Sequence, residues 1–313
     1  MDTMAVVLEE PKQLVLRRLG LSAPGEDDVV VEVAWTGVST GTERLLWSGA
    51  MPPFPGMGYP LVPGYEAVGQ VNWAGSRSGR NRGDWVFVPG SRGFDGAHGL
   101  FGAAARRLVA PGDRVIPVLE EMGEQGCLLA LAATAEHAIA GSDRGSRTLV
   151  VGHGALGRLL ARILVARDET SPPVVWETNP DRRTAEDYPV VDPGSDEGTE
   201  YDTIYDVSGD STILDQLIPR LRRGGEVVLA GFYAGSVGFH FPPAFMKEAR
   251  IRVAAEWSPR DLREVLTLIR QDRMTLDGLV THREMAAQAP EAYRIAFEDP
   301  RCVKMILDWR GTA

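Results

Sequence analysis

The sequence predicts an α/β protein: a β-rich N-terminal domain followed by a doubly wound parallel sheet. Three observations carry this. Up to about residue 118 the chain is a series of short strand-like segments separated by Gly and Pro, with no helical rhythm between them. From about residue 148 strands and helices alternate, the pattern of a parallel sheet covered on both faces. A glycine-rich turn, residues 152–157, lies where the first strand of that alternation passes into its helix.

The elements follow in order. Residues 4–8, 14–18 and 29–35 are strand-like and rich in β-branched side chains; residues 67–73, 85–89 and 105–109 continue the series. Turn pairs Pro24-Gly25, Gly83-Asp84 and Pro111-Gly112 punctuate them. Residues 120–140, dominated by Ala and Leu, read as a helical stretch. Strands are expected at 148–151, 174–177, 203–207, 227–230 and 251–255. Helices at 156–165, 212–221 and 260–270 fall between them. The last stretch adds a helix at 290–297 and a strand at 303–309. No internal repeat interrupts this order.

Composition narrows the function. At about 150 residues per domain, 313 residues suggest two domains. With 44% apolar and 24% charged residues the chain has ordinary globular composition. The formal charge of -10 argues against general nucleic-acid binding, which needs a basic face. Cys127 and Cys302 are the only cysteines, which excludes a disulfide scaffold or a Cys-rich zinc site and suits a reducing compartment. The start lacks a basic segment followed by an apolar one, so no secretory leader is expected. The longest apolar run, 127–140, holds Glu136 and His137 and is too short to span a bilayer. A cytoplasmic protein without an integral membrane segment is expected; peripheral membrane association stays open. Lys12, Lys247 and Lys304 are the only lysines, so lysine chemistry has three candidates. No Tyr is followed four positions later by Lys, so the short-chain dehydrogenase pair is absent.

Gly152-His153-Gly154-Ala155-Leu156-Gly157 is a G-x-G-x-x-G. The pattern is weak alone, but here it follows a strand and opens a helix. The first Gly permits the tight turn, the second lets backbone approach a pyrophosphate, and the third lets helix and strand pack closely. The helix start then offers N–H groups and a positive dipole end to the phosphates. Glu177 ends the second strand, twenty residues after Gly157. An acid there accepts hydrogen bonds from the adenosine ribose and repels a 2′-phosphate, which favours NAD over NADP. Arg182 and Arg183 weaken that preference. Asp206, Ser208, Gly231 and Phe232 end later strands, at the edge where such sheets hold ligands; each also suits an ordinary strand-end turn.

A β domain followed by this nucleotide-binding unit resembles the medium-chain dehydrogenase/reductase family, along nearly the whole chain. Trp35-Thr36-Gly37-Val38-Ser39 is similar to the segment that carries the family's first zinc cysteine. Pro63-Gly64-Tyr65-Glu66-Ala67-Val68-Gly69 is similar to its P-G-H-E-x-x-G, and Gly83-Asp84-Trp85-Val86 to its G-D-x-V. Thr281-His282-Arg283 and Ala289-Pro290-Glu291-Ala292-Tyr293 resemble its C-terminal signature. The resemblance implies a GroES-like β-barrel domain of residues 1–121 and 271–313 and a Rossmann domain of residues 122–270.

The departures matter as much. Ser39 stands at the catalytic-zinc cysteine, Tyr65 at the zinc histidine, and the third ligand position falls near Ala130. The four-cysteine lobe of the structural zinc is also missing, so no metal is expected. The closer likeness, carried by Gly37-Val38-Ser39-Thr40-Gly41-Thr42-Glu43 and Pro63-Gly64-Tyr65-Glu66, is to a zinc-free branch of the family. That branch oxidises the 3-hydroxyethyl group of a bacteriochlorophyllide to 3-acetyl. The resemblance therefore implies a macrocyclic small-molecule substrate.

Without zinc, the hydroxyl proton of a secondary alcohol needs an organic acceptor within hydrogen-bond reach. Tyr65 is one candidate, by its place in the motif; filling the volume left by a metal is its other reading. Glu66 reads as a structural acid paired with an Arg, or as a member of a proton relay. Ser39 and Thr40, with Thr42, suit either turn chemistry or a bond to the substrate hydroxyl. His98, in a Gly-rich loop, titrates near neutrality and suits a base or a surface position. His153 is expected to matter through its backbone, while His137 and His240 read as packing residues. Residues 51–60, Met51 to Pro60, are apolar and stiffened by Pro; they suit either a wall against a flat macrocycle or a loop packed on its own domain. Arg77, Arg80 and Arg82 suit a solvated turn better than a carboxylate site. Two other functions stay open: a zinc-free NADPH-dependent quinone or enone reductase, and a non-catalytic nucleotide-binding protein. The oligomeric state stays open too, with a dimer as one option.

Overall fold

The computed structural model describes residues 1–53, 55–141, 146–184 and 186–312. The chain divides into two compact units, Met1–Ala130 with Asp277–Ala313, and Leu131–Leu276.

The first part of the chain forms β1 (Asp2–Glu10), β2 (Gln13–Leu21), β3 (Asp28–Val38), helix α1 (Thr42–Ser48), β4 (Leu61–Val62), β5 (Ala67–Ala74), β6 (Trp85–Val88), β7 (Phe94–Asp95), β8 (His98–Gly99), β9 (Arg107–Pro111) and β10 (Ile116–Pro117). The middle forms α2 (Leu129–Ile139), β11 (Thr148–Val151), α3 (Ala155–Arg167), β12 (Val174–Trp176), β13 (Val190–Val191), β14 (Tyr201–Asp206), α4 (Leu214–Leu217), β15 (Leu221–Leu229), α5 (Phe241–Lys247), β16 (Arg250–Val253) and α6 (Pro259–Arg270). The end forms β17 (His282–Met285), α7 (Ala289–Glu298) and β18 (Met305–Asp308).

The first unit is two sheets around one core. Five strands run β7-β2-β1-β4-β8; a larger sheet runs β10-β6-β5-β3-β18-β17, with β9 also on β3. Val6, Val7 and Val31 are wholly buried between them, and Trp309 and Tyr293 come in from the chain's end to join the same core. Strand β3 is long enough to serve two partners on one edge. Its first half pairs with β9, and its last residues pair antiparallel with β18, Met305 opposite Val38 and Ile306 opposite Gly37. That register carries Lys304, one residue before β18, to the end of β3 where Ser39 follows.

The second unit is built on one wholly parallel sheet, β13-β12-β11-β14-β15-β16. The chain winds outward from β11 to β13, then returns beside β11 with β14 and winds the other way. The reversal between β11 and β14 is a topological switch point, and ligands of open α/β sheets bind outside the strand ends there. Leu149, Ile204 and Val227 lie on these central strands and are fully buried.

Several expected elements differ. The helical stretch 120–140 is not one helix: a 3-10 segment Glu120–Leu128, itself kinked at Gly123 with φ +51, precedes α2. The helix at 212–221 shortens to α4 plus a 3-10 turn Ile218–Arg220, because Pro219 has no N–H to continue the ladder. Leu221 already begins β15, ahead of the expected 227. Helices α1 and α5 and strand β17 were not foreseen. Two prolines mask α5 in the sequence, yet they lie in its first turn, where a missing N–H costs nothing.

Candidate active site

In the second unit the glycine turn sits at the switch point. Gly152 follows β11 with φ +105, a conformation that L side chains rarely adopt. A Cβ on Gly157 would lie 1.9 Å from the Gly152 carbonyl oxygen, so helix α3 reaches the strand only without a side chain there. A Cβ on Gly154 would meet nothing within 4 Å, so the turn has open space above it. No side chain caps the start of α3, which leaves Ala155, Leu156 and Gly157 at an uncapped helix entrance. A dinucleotide's pyrophosphate fits this turn.

His153 does more than lend its backbone. Its ring is wholly buried, with Nδ1 2.7 Å from the Arg182 carbonyl and Nε2 3.0 Å from the Tyr188 hydroxyl. A carbonyl only accepts, so Nδ1 carries the proton and Nε2 accepts from Tyr188. Burial lowers the imidazole pKa and keeps the ring neutral. Arg158 of α3 donates to the His153 carbonyl at 3.1 Å and pairs with Glu186. The ring is thus a strut under the glycine turn.

Glu177 lies directly after β12 and is buried. Its carboxylate accepts from the His153 N–H at 3.1 Å and from the Asn179 N–H at 2.8 Å. A carboxylate has about four lone-pair sites, so acceptor capacity remains for ribose hydroxyls. Arg183 is paired with Asp192 at 2.8 Å. Asp206 ends β14 with its carboxylate turned inward. It accepts from the Ser208 N–H at 2.9 Å and the Tyr233 hydroxyl at 2.6 Å. Its side chain therefore braces two strand-end loops, and burial raises its pKa. Ser208 and Phe232 are exposed at the same edge, and Gly231 is half-buried.

In the first unit a cluster of polar side chains forms where β3 ends. Gly64, at φ +88, allows the turn before β5 that presents Tyr65 and Glu66. The Tyr65 hydroxyl donates to Ser39 Oγ at 2.8 Å, with the Phe101 ring edge-on at 5.4 Å. Burial and the neighbouring Glu66 raise the Tyr65 phenol pKa. That direction opposes a standing phenolate and leaves Tyr65 a neutral hydroxyl. Glu66 does have a cation partner, but it is Lys304 rather than an Arg. Nζ contacts the two carboxylate oxygens at 2.9 and 2.7 Å, and both residues are completely buried. Glu43 is buried beside them, accepting from the Ser39 N–H at 2.9 Å and the Tyr293 hydroxyl at 2.7 Å.

The structure therefore gathers Ser39, Tyr65 and Glu66, and adds Glu43, Lys304 and Tyr293, to which the sequence reading gave no place at this site. Lys304 carried a signal: it is one of three lysines, set in the apolar run of residues 302–307. Thr40 is half-buried in the same turn and has no side-chain hydrogen bond among the described residues. His98 stands apart. It is exposed on β8 of the smaller sheet, its ring laid against Gly58. The loop 51–60 packs on its own domain: Met51 is buried with Leu8 and Leu46, Met57 and Tyr59 rest on that cluster, and the Tyr59 hydroxyl donates to the Leu46 carbonyl. Phe54, in the middle of that loop, lies outside the described residues. The packing assignment of His240 fails, since it is exposed and paired with Asp215, whereas His137 is half-buried on α2 with its ring 3.0 Å from Asp261. Arg77 is spent on Glu26 and Asp27.

A zinc ion does not fit this cluster. Ser39 and Tyr65 offer neutral hydroxyls bonded to each other, and the Glu66 charge is matched by Lys304. Among the described residues no group of three His, Cys, Asp or Glu side chains could hold a metal.

Comparison with known proteins agrees with this architecture. Residues 25–121 match the model of the alcohol dehydrogenase GroES-like domain. The chain is 54% identical to the 2-desacetyl-2-hydroxyethyl bacteriochlorophyllide A dehydrogenase of Rhodobacter capsulatus, over 99% of each chain. It is 53% identical to the protein of the same name from Cereibacter sphaeroides, over 100% of each. An alcohol dehydrogenase from Escherichia coli, solved with NADH, superposes with a TM-score of 0.84 at 18% identity, covering 98% of this chain and 99% of that one. The chain belongs to the medium-chain dehydrogenase/reductase family: a GroES-like β domain joined to a Rossmann domain.

Proposed function

We propose that this protein oxidises the 3-hydroxyethyl side chain of a bacteriochlorophyllide to 3-acetyl, with NAD as acceptor and without a metal, in bacteriochlorophyll synthesis. The full-length likeness to the two bacteriochlorophyllide dehydrogenases carries the reading. The metal-free hydroxyl pair gives it a chemical form.

Oxidation removes a hydride from the carbinol carbon and a proton from its oxygen. Bound NAD supplies an acceptor for the hydride. Gly152, Gly154, Ala155 and Gly157 would hold its pyrophosphate, and Glu177 its adenosine ribose. The proton is the protein's task. Tyr65 and Ser39 offer two hydroxyls in series, each able to accept one proton as it gives up another. A cytoplasmic location fits this reading, and among the described residues no helix is long and apolar enough to cross a membrane.

The test is turnover. The protein is dialysed against a strong chelator, then incubated with the 3-hydroxyethyl pigment and either NAD or NADP while the red absorption band is followed. The expected result is a band shift with NAD at an unchanged rate after chelation. No shift with either cofactor overturns the activity, and a rate restored only by added zinc overturns the metal-free chemistry. The acid at 177 has its own test. Glu177→Ala should lower the NAD-to-NADP ratio of kcat/KM by about tenfold or more, the loss of one charge-assisted hydrogen bond; an unchanged ratio would remove Glu177 from cofactor choice.

A further inference from the structure

Glu43 has no role assigned from the sequence beyond its place in the Gly37–Glu43 motif, yet it sits at the centre of the polar cluster. It is 1% exposed, in the first turn of α1, immediately after the bend that begins at Ser39. One carboxylate oxygen accepts from the Ser39 N–H, the other from the hydroxyl of Tyr293, which α7 brings from the far end of the chain. Ser39 is also the residue whose Oγ receives the Tyr65 hydroxyl. Lys304, the cation of the cluster, has both hydrogen bonds to Glu66. Glu43 thus keeps a buried carboxylate beside a second one, where an amide or an apolar group of the same size would cost less.

We propose that Glu43 is a positioning residue for the Tyr65–Ser39 hydroxyl pair, fixing the Ser39 backbone so that the pair meets the substrate hydroxyl in one orientation. The proposal rests on the function proposed above for that pair. Glu43 acts through the Ser39 backbone, which it ties to α1 and, by way of Tyr293, to α7. The groups facing it are Tyr293 on α7, Tyr65 and Glu66 on the turn before β5, and Lys304 before β18. Burial pushes the Glu43 carboxyl up to about 7; the Glu66 charge adds to this, while Tyr293, the Ser39 N–H and Lys304 oppose it. Glu43 therefore changes charge near neutrality. When ionised, it joins Glu66 in keeping the Tyr65 phenol protonated. When it takes up a proton, that influence ends, and the Tyr293 hydroxyl must turn from donor to acceptor if the new proton points at it.

Glu43→Gln and Glu43→Leu test this in the full-length protein. Infrared difference spectra of the wild type, taken without substrate, should show a protonated-carboxyl band that vanishes as pH rises through about 7 and is absent from Glu43→Gln. The kcat profile of the wild type should bend in the same range. Glu43→Gln should keep most of its activity and lose the bend; Glu43→Leu should lose at least about tenfold in kcat with the KM for NAD unchanged. Stability supplies a further reading. The folded pKa lies above the ordinary 4.5, so wild-type Tm should fall as pH rises from there to about 7, and Glu43→Gln should not share that fall. A Glu43→Leu protein with wild-type kcat, or a Glu43→Gln protein as impaired as Glu43→Leu, overturns the proposal; a missing infrared band overturns the titration. Failure of the wild type to turn over the pigment overturns the activity instead, and the infrared and Tm measurements still decide the Glu43 titration.

Discussion

Lys304→Met should destabilise the protein by about 3–5 kcal/mol, the cost of leaving one member of a buried ion pair without its partner. Glu66 and Lys304 are 0% and 1% exposed, and the ammonium contacts both carboxylate oxygens. Without it, the Glu66 carboxylate has no water to turn to. It cannot swing aside either: a Cβ on the neighbouring Gly37 would already lie 2.1 Å from Glu66 Oε2, so the carboxylate fills the space that this glycine leaves. Burial already raises the Glu66 pKa, and Lys304 opposes that rise. Removing Lys304 should raise it further, so the variant's deficit should be greatest at alkaline pH and shrink on acidification as Glu66 binds a proton. The double variant Glu66→Gln/Lys304→Met should recover most of the loss, because a neutral pair carries no stranded charge. Urea unfolding at two pH values measures all of this. A loss under about 1 kcal/mol for the single variant, the range of exposed ion pairs, would show that water reaches the pair.

Gly157→Ala should weaken dinucleotide binding by at least about 100-fold, or roughly 2.7 kcal/mol. The new methyl would sit 1.9 Å from the Gly152 carbonyl oxygen and 2.9 Å from its carbon. Those are backbone atoms at the end of a central strand, so α3 must move away and take the phosphate turn with it. Gly154→Ala is the informative partner. There a Cβ meets only open space, so the fold should be untouched and any loss of affinity reports a collision with the ligand. Calorimetric titration with NAD, alongside far-ultraviolet circular dichroism, separates the two. A Gly157→Ala protein that binds NAD within a few-fold of the wild type would show that α3 has slack against β11.

Local chemistry made much of the second unit legible. Strand β11 and helix α6 are recognisable from the alternation of short strand and helix segments around a glycine turn, and the structure adds a reciprocal Ser258–Asp261 cap at the start of α6. The glycine turn was legible because its requirements are steric and belong to residues five apart. Misreadings arose where one residue overrode its neighbours. Gly123 kinks the 3-10 segment ahead of the Ala- and Leu-rich α2, and Pro219 ended α4 early. His240 looked like packing between two phenylalanines, yet it lies at the exposed start of α5 beside Asp215.

The order of elements and the glycine turn are statements about residues close together in sequence, whose meaning comes from backbone sterics and side-chain chemistry, while the replaced zinc ligands are legible only through the family resemblance. The partners of those residues are another matter. That Lys304 neutralises Glu66, that Tyr293 holds Glu43, and that Asp206 faces inward all depend on strand register and helix packing across up to 250 residues. A charge can be read from a sequence; the loss of water around it, which sets its pKa and its cost, exists only once distant segments have closed over it.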